Sequence, residues 1–200
     1  MYIFLIRLLD ESIYIYQVMN MRVAVLLDNG YEELEAMAPI ALLRRAGVTV
    51  DLVSIINQPV TGRFGVMYSP VTNIDEYDFD QADCLVLPGG PQYQTMSKNQ
   101  KVLDLLPSFM KDKYVGAICA APTILGQQGL LKGRKYTCFY SMDEDFEGEY
   151  VKAYTVTDGN LVTGVSAAAS VEFGFALIEM LCGKQHADKV KEDVYYGFDH

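Results

Sequence analysis

The chain has no tryptophan, and only two histidines and four cysteines among its 200 residues. Both histidines, His186 and His200, lie in the polar C-terminal stretch and neither adjoins a cysteine. A Cys–His dyad of the protease type therefore has poor support, and both rings are read as solvated. The cysteines (Cys84, Cys119, Cys138, Cys182) form no CxxC pair and have no histidine at metal-ligand spacing. Three of them sit in apolar segments, which argues against a metal centre or a disulfide framework and for reducing, cytoplasmic surroundings. Positive charge is scarce as well. Sixteen Lys and Arg stand against 26 Asp and Glu, a net charge of -10, so no basic face is on offer to nucleic acid. Long apolar runs are missing. Met1 to Leu9 is apolar, but it has no basic start, stops at Asp10-Glu11 and is too short to cross a bilayer. Neither GxGxxG nor GxxxxGK[ST] occurs, so no phosphate loop is read.

What the chain does have is an alternation of short β-rich runs and helix-compatible segments. Arg22–Leu27, Val48–Ser54, Ala82–Leu87, Tyr114–Ile118 and Leu161–Val165 are apolar and read as buried strands. Between the first two, Glu32-Glu33-Leu34-Glu35-Ala36-Met37 opens a helix whose apolar residues recur at helical spacing (Leu34, Met37, Ile40, Ala41, Leu42), and Gly47 closes it. Asn99 to Lys111 reads as an amphipathic helix, with Pro107 expected to kink it. Val171 to Leu181 is a second amphipathic helix, capped by Ser166 and Ser170, and a polar helix, Lys184 to Val194, finishes the chain. Periodicity fails from Asn57 to Tyr77, which suggests a small hairpin leaving the sheet. Lys135–Phe139 and Glu149–Thr157 are strand candidates, the second leading into an Asp158-Gly159-Asn160 hairpin turn. Tyr195-Tyr196 could pack on a partner or on the body of the domain. The pattern predicts one α/β domain over 21–200, a doubly wound, mostly parallel sheet in a three-layer α/β/α sandwich. Residues 1–20 are expected to be an upstream extension, from a misassigned start codon, or else an extra strand or helix on the domain edge.

The chemistry centres on Cys119. It follows a buried strand at once and is succeeded by small residues and a helix-compatible segment, the layout of a nucleophile elbow. The competing reading is a buried core cysteine. Ligands gather at the carboxyl ends of such strands, where Asp28–Glu35 and Pro88-Gly89-Gly90 also converge. Gly89 and Gly90, with the N–H of Ala120, could hold an oxyanion, or the glycines could be a plain strand-end turn. Glu32, Glu33 and Glu35 suit a water-facing helix start. Glu35 has a second possibility: ionised, it would raise the thiol pKa; protonated, it would donate to the thiolate and share one proton with it.

Gly30-Tyr-Glu-Glu-Leu-Glu35, Leu87-Pro-Gly-Gly90 and Ala117-Ile-Cys119-Ala-Ala-Pro122, in that order, resemble the ThiJ/PfpI superfamily, in its Parkinson-disease-linked deglycase branch. The likeness extends from Met21 to about Gly183. It implies a flavodoxin-like, class I glutamine amidotransferase-like sandwich, a homodimer, Cys119 as nucleophile, Glu35 as its carboxylate partner, and Gly89, Gly90 and Ala120 around the oxyanion. It also implies cofactor-free chemistry on small dicarbonyls, of the glyoxalase III or deglycase type, or else oxidative sensing through the cysteine with a chaperone-like role. Peptidase or amidotransferase activity fits less well, because the protease branch carries His where Ala120 stands. The human-type branch also has a histidine near the site, where Thr137-Cys138-Phe139-Tyr140 stands here.

Overall fold

The computed structural model describes residues 21–57 and 59–197; the proposed extension 1–20 and His200 lie outside them. A seven-stranded sheet forms the middle layer, in the order β10-β11-β7-β6-β1-β2-β5. Its strands are β1 (Arg22–Leu27), β2 (Thr49–Ser54), β5 (Thr72–Asn73), β6 (Cys84–Leu87), β7 (Tyr114–Ile118), β10 (Thr155–Asp158) and β11 (Leu161–Gly164). All pair in parallel except β10, which runs antiparallel to β11 at one edge.

Strand alternation divides the apolar side chains between two cores. Val23, Val25 and Leu27 face the layer of helices α1 (Glu33–Arg45), α5 (Ser170–Cys182) and α6 (Lys184–Asp193). Ala24 and Leu26 face that of α2 (Tyr93–Met96), α3 (Gln100–Asp112) and α4 (Pro122–Gln127). The molecule is thus the expected mostly parallel α/β/α sandwich. Among the described residues, no helix is long and apolar enough to cross a membrane.

Several local expectations change. The buried side of α1 carries Glu33, Glu35, Ala36, Pro39, Ile40, Leu42 and Leu43, whereas Leu34 is 57% and Met37 44% exposed. Polar residues thus occupy the inward face where the helix starts. Helix α3 runs on past Pro107 and is capped by Asn99, whose side chain accepts the Val102 N–H. The irregular region does hold a hairpin, β3 (Val60–Thr61) with β4 (Met67–Tyr68), but Thr72–Asn73 then returns to the main sheet as its other edge.

Lys135–Phe139 shortens to β8 (Lys135–Tyr136), which pairs with β9 (Glu149–Tyr150) apart from the main sheet. The rest of Glu149–Thr157 reaches the sheet as β10. Ser166 makes no side-chain cap, and the Ser170 hydroxyl donates backwards to the Ala167 carbonyl. His186 is docked rather than solvated, its Nε2 2.7 Å from the Ala46 carbonyl beyond the C-terminus of α1. Tyr196 packs on the body of the domain: its ring meets Phe175 and its hydroxyl donates to Glu172.

Candidate active site

Three strand ends meet at the carboxyl edge of the sheet. β7 ends at Ile118, and Cys119 follows with φ 65, a left-handed conformation that costs a non-glycine residue about 1–3 kcal/mol. Two hydrogen bonds hold it there. The Cys119 N–H donates to the Gly164 carbonyl at 2.8 Å, and the Cys119 carbonyl accepts the Phe139 N–H at 2.7 Å. The turn then passes through buried Ala120 and Ala121 into α4, with Pro122 at its first position. This is the strained strand-to-helix turn expected of an elbow.

Glu35 reaches the elbow from α1. It is 1% exposed, and its Oε2 accepts the Gly89 N–H at 2.9 Å. Gly89 lies between the two side chains so tightly that a Cβ there would sit 2.6 Å from Glu35 Oε2 and 2.7 Å from Cys119 Cβ. Gly90 adopts φ 82, and a Cβ on it would meet the Glu32 nitrogen and the Gly30 carbonyl oxygen, each at 2.5 Å. Close approach therefore requires glycine at both positions, and at Gly90 the left-handed φ requires it as well.

Burial pushes the Glu35 carboxyl up to about 7, against the opposing effects of its hydrogen bonds with Cys119 and Gly89. Burial and the adjoining Glu35 charge push the Cys119 thiol up to about 12, while the amides of Gly90 and Ala120 pull it back. With the proton on Glu35, the repulsion that holds the thiol up disappears, and the two amides favour the thiolate. Helix α4 has six residues, so these local amides contribute more than a long helix dipole would.

Sequence reasoning brought Cys119, Glu35, Gly89, Gly90 and Ala120 together, and the fold does place them at one edge. It gave the other carboxylates of the helix start to solvent. Glu32 is instead the N-cap, its Oε2 accepting the Glu35 N–H at 3.0 Å. Glu33 is buried, and its Oε1 accepts the N–H groups of Phe64 and Val66, which ties the β3–β4 hairpin to α1. Cys138 belongs to the opposite core and its thiol lies 3.6 Å from the Phe139 carbonyl, so it faces away from the Cys119 side of the sheet. Sequence reasoning also missed buried Gln92, which follows a Gly-Gly-Pro turn where nothing marks a polar side chain as folding inward.

A cysteine on a strained elbow beside a buried glutamic acid, in a flavodoxin-like sandwich, is the arrangement found at this edge of the sheet. The chain belongs to the DJ-1/PfpI family, whose model matches residues 21–180. It is 32% identical to protein dj-1beta of Drosophila melanogaster over 187 residues, 90% of this chain and 100% of that protein. A deglycase of Thermococcus kodakarensis is 34% identical over 147 residues, 72% of this chain and 89% of its own length. Among solved structures, Drosophila DJ-1beta superposes with a TM-score of 0.82 at 30% identity, covering 88% of this chain and 98% of that one. At about 32% identity, relatives that include the Danio rerio Parkinson disease protein 7 homolog place the chain in the DJ-1 branch.

Proposed function

We propose that the protein is a cofactor-independent cysteine enzyme acting on small dicarbonyls or on the adducts they form with amines and thiols. The observation that carries this is Gly89, held against both Glu35 Oε2 and Cys119 Cβ, which keeps a proton-sharing carboxyl beside the nucleophile. Relatives named deglycases support the same substrate class. With methylglyoxal, the Cys119 thiolate adds to the aldehyde carbon and the new oxyanion takes up a proton, giving a hemithioacetal. Glu35 removes the proton from that carbon and returns it to the neighbouring one through an enediolate. The amides of Gly90 and Ala120 steady the oxygen charge, while that of Gly89 holds Glu35 in place. The resulting thioester reacts with water, so methylglyoxal plus water becomes lactate and the thiol is restored.

A second reading is favoured by Phe139, which holds the Cys119 carbonyl and belongs to the stretch where the human-type branch has a histidine. With no proton carrier there, Cys119 would serve as a stoichiometric sensor, oxidised by peroxide to sulfinate. The protein would act as a homodimer in the cytoplasm, joined through the exposed Leu34 and Met37 of α1 and the Phe64 and Met67 of the hairpin tied to it. The deciding experiment compares lactate formation from methylglyoxal by wild type and Cys119→Ser without glutathione. Lactate that vanishes in the variant supports the enzyme. No lactate from a folded protein whose Cys119 still takes a thiol label supports the sensor.

A further inference from the structure

Two loops carry the groups that surround Cys119, and one buried side chain joins them. Gln92 is 1% exposed. Its Oε1 accepts the Asp28 N–H at 2.7 Å, just beyond the end of β1, and its Nε2 donates to the Pro88 carbonyl at 2.7 Å, just beyond the end of β6. Its own N–H donates to the Gly30 carbonyl at 3.3 Å. Around this cross-brace, the Glu32 N–H donates to the Gly89 carbonyl at 3.2 Å, and the Thr95 hydroxyl bridges the Asp28 carboxylate and the Gln92 carbonyl. Asp28 Oδ1 accepts the Asn29 N–H at 2.7 Å, so the buried carboxylate is itself held.

The brace fixes the peptides on both sides of Gly89 and Gly90. Pro88 precedes the glycine whose N–H meets Glu35, and Gln92 lies two residues after the glycine whose amide favours the thiolate. A buried amide side chain that satisfies one donor and one acceptor on two different strand ends sets their separation, since losing it leaves both unpaired. We propose that Gln92 is the positioning residue of this site: by clamping Asp28 to Pro88 it aims the Gly89 and Gly90 amides at Glu35 and Cys119. This rests on the pairing of Cys119 with Glu35 proposed above. Gln92 touches neither the nucleophile nor its carboxyl and acts only through the two loops.

The test is the reaction rate of Cys119 with 4,4′-dithiodipyridine, followed from pH 4 to 10 on the intact full-length chain, with Cys119→Ser as the background. In Gln92→Met, of similar length but with no donor or amide acceptor, we expect a reaction about tenfold slower at pH 7, with the profile displaced to higher pH by about one unit. Thr95→Val, at an exposed position, should shift the profile in the same direction but less. A folded Gln92→Met protein with the wild-type profile overturns the assignment. If Gln92→Met does not fold, a wild-type profile in Thr95→Val overturns it. A wild-type Cys119 no more reactive than a buried thiol would instead refute the pairing with Glu35, whatever the variants do.

Discussion

Replacing Glu35 by glutamine should make the protein more stable at neutral and alkaline pH while disabling its site. In the native state the carboxyl is held near 7, against 4.5 for an ordinary glutamate, because it is buried. The unfolded chain releases that proton near 4.5. A folded-state pKa above the unfolded one means that the native protein binds the extra proton between those values, so stability is fully present below about pH 4.5 and is lost as pH rises to about 7. At ~1.4 kcal/mol per pKa unit, the rise from 4.5 to about 7 corresponds to about 3 kcal/mol. That is a large share of the roughly 5–15 kcal/mol by which domains are stable. Glutamine keeps the shape and an acceptor for the Gly89 N–H but never ionises. Urea unfolding of both proteins at fixed ionic strength, from pH 4 to 8, should give a stability difference that moves by about 3 kcal/mol in favour of the variant and flattens above pH 7. The second proton of the Glu35–Cys119 pair leaves higher, at about 12, because of burial and the Glu35 charge, and stays out of this window. A difference that does not change with pH would refute a buried, proton-holding Glu35.

Gly89→Ala brings a methyl group within 2.7 Å of both Glu35 and Cys119. It should lower stability by about 1–3 kcal/mol in thermal unfolding and abolish selective labelling of Cys119. Leu34→Glu places a charge on the exposed apolar face of α1 and should convert the proposed dimer to monomer in sedimentation, whereas Tyr196→Phe, whose ring packs on Phe175 of α5, should leave the oligomer unchanged.

The main strands were legible because each is a short β-rich run bounded by turn residues, and the elbow because Tyr114–Ile118 leads straight into Cys119 and small residues. Helix α1 was legible as a helix but not in its orientation. Periodicity marks an apolar stripe, yet Leu34 and Met37 face outward while Glu33 and Glu35 turn in, because the helix begins at the site and the hairpin supplies partners for Glu33. β5 escaped notice because two residues carry no alternation, and its place is set by pairing with Val53 and Ser54. Gln92 was invisible for a different reason. Its two partners are a backbone N–H and a carbonyl from distant positions, and backbone groups leave no mark in a sequence.

The four thiols turn this chain into its own two-stage gauge. Cys119 alone is only half-buried; Cys84 and Cys182 sit in one core and Cys138 in the other. A thiol reagent applied along a denaturant gradient would therefore count one equivalent while the sandwich is closed. Later equivalents would report which side of the sheet has been breached, with no label or tag added to the protein.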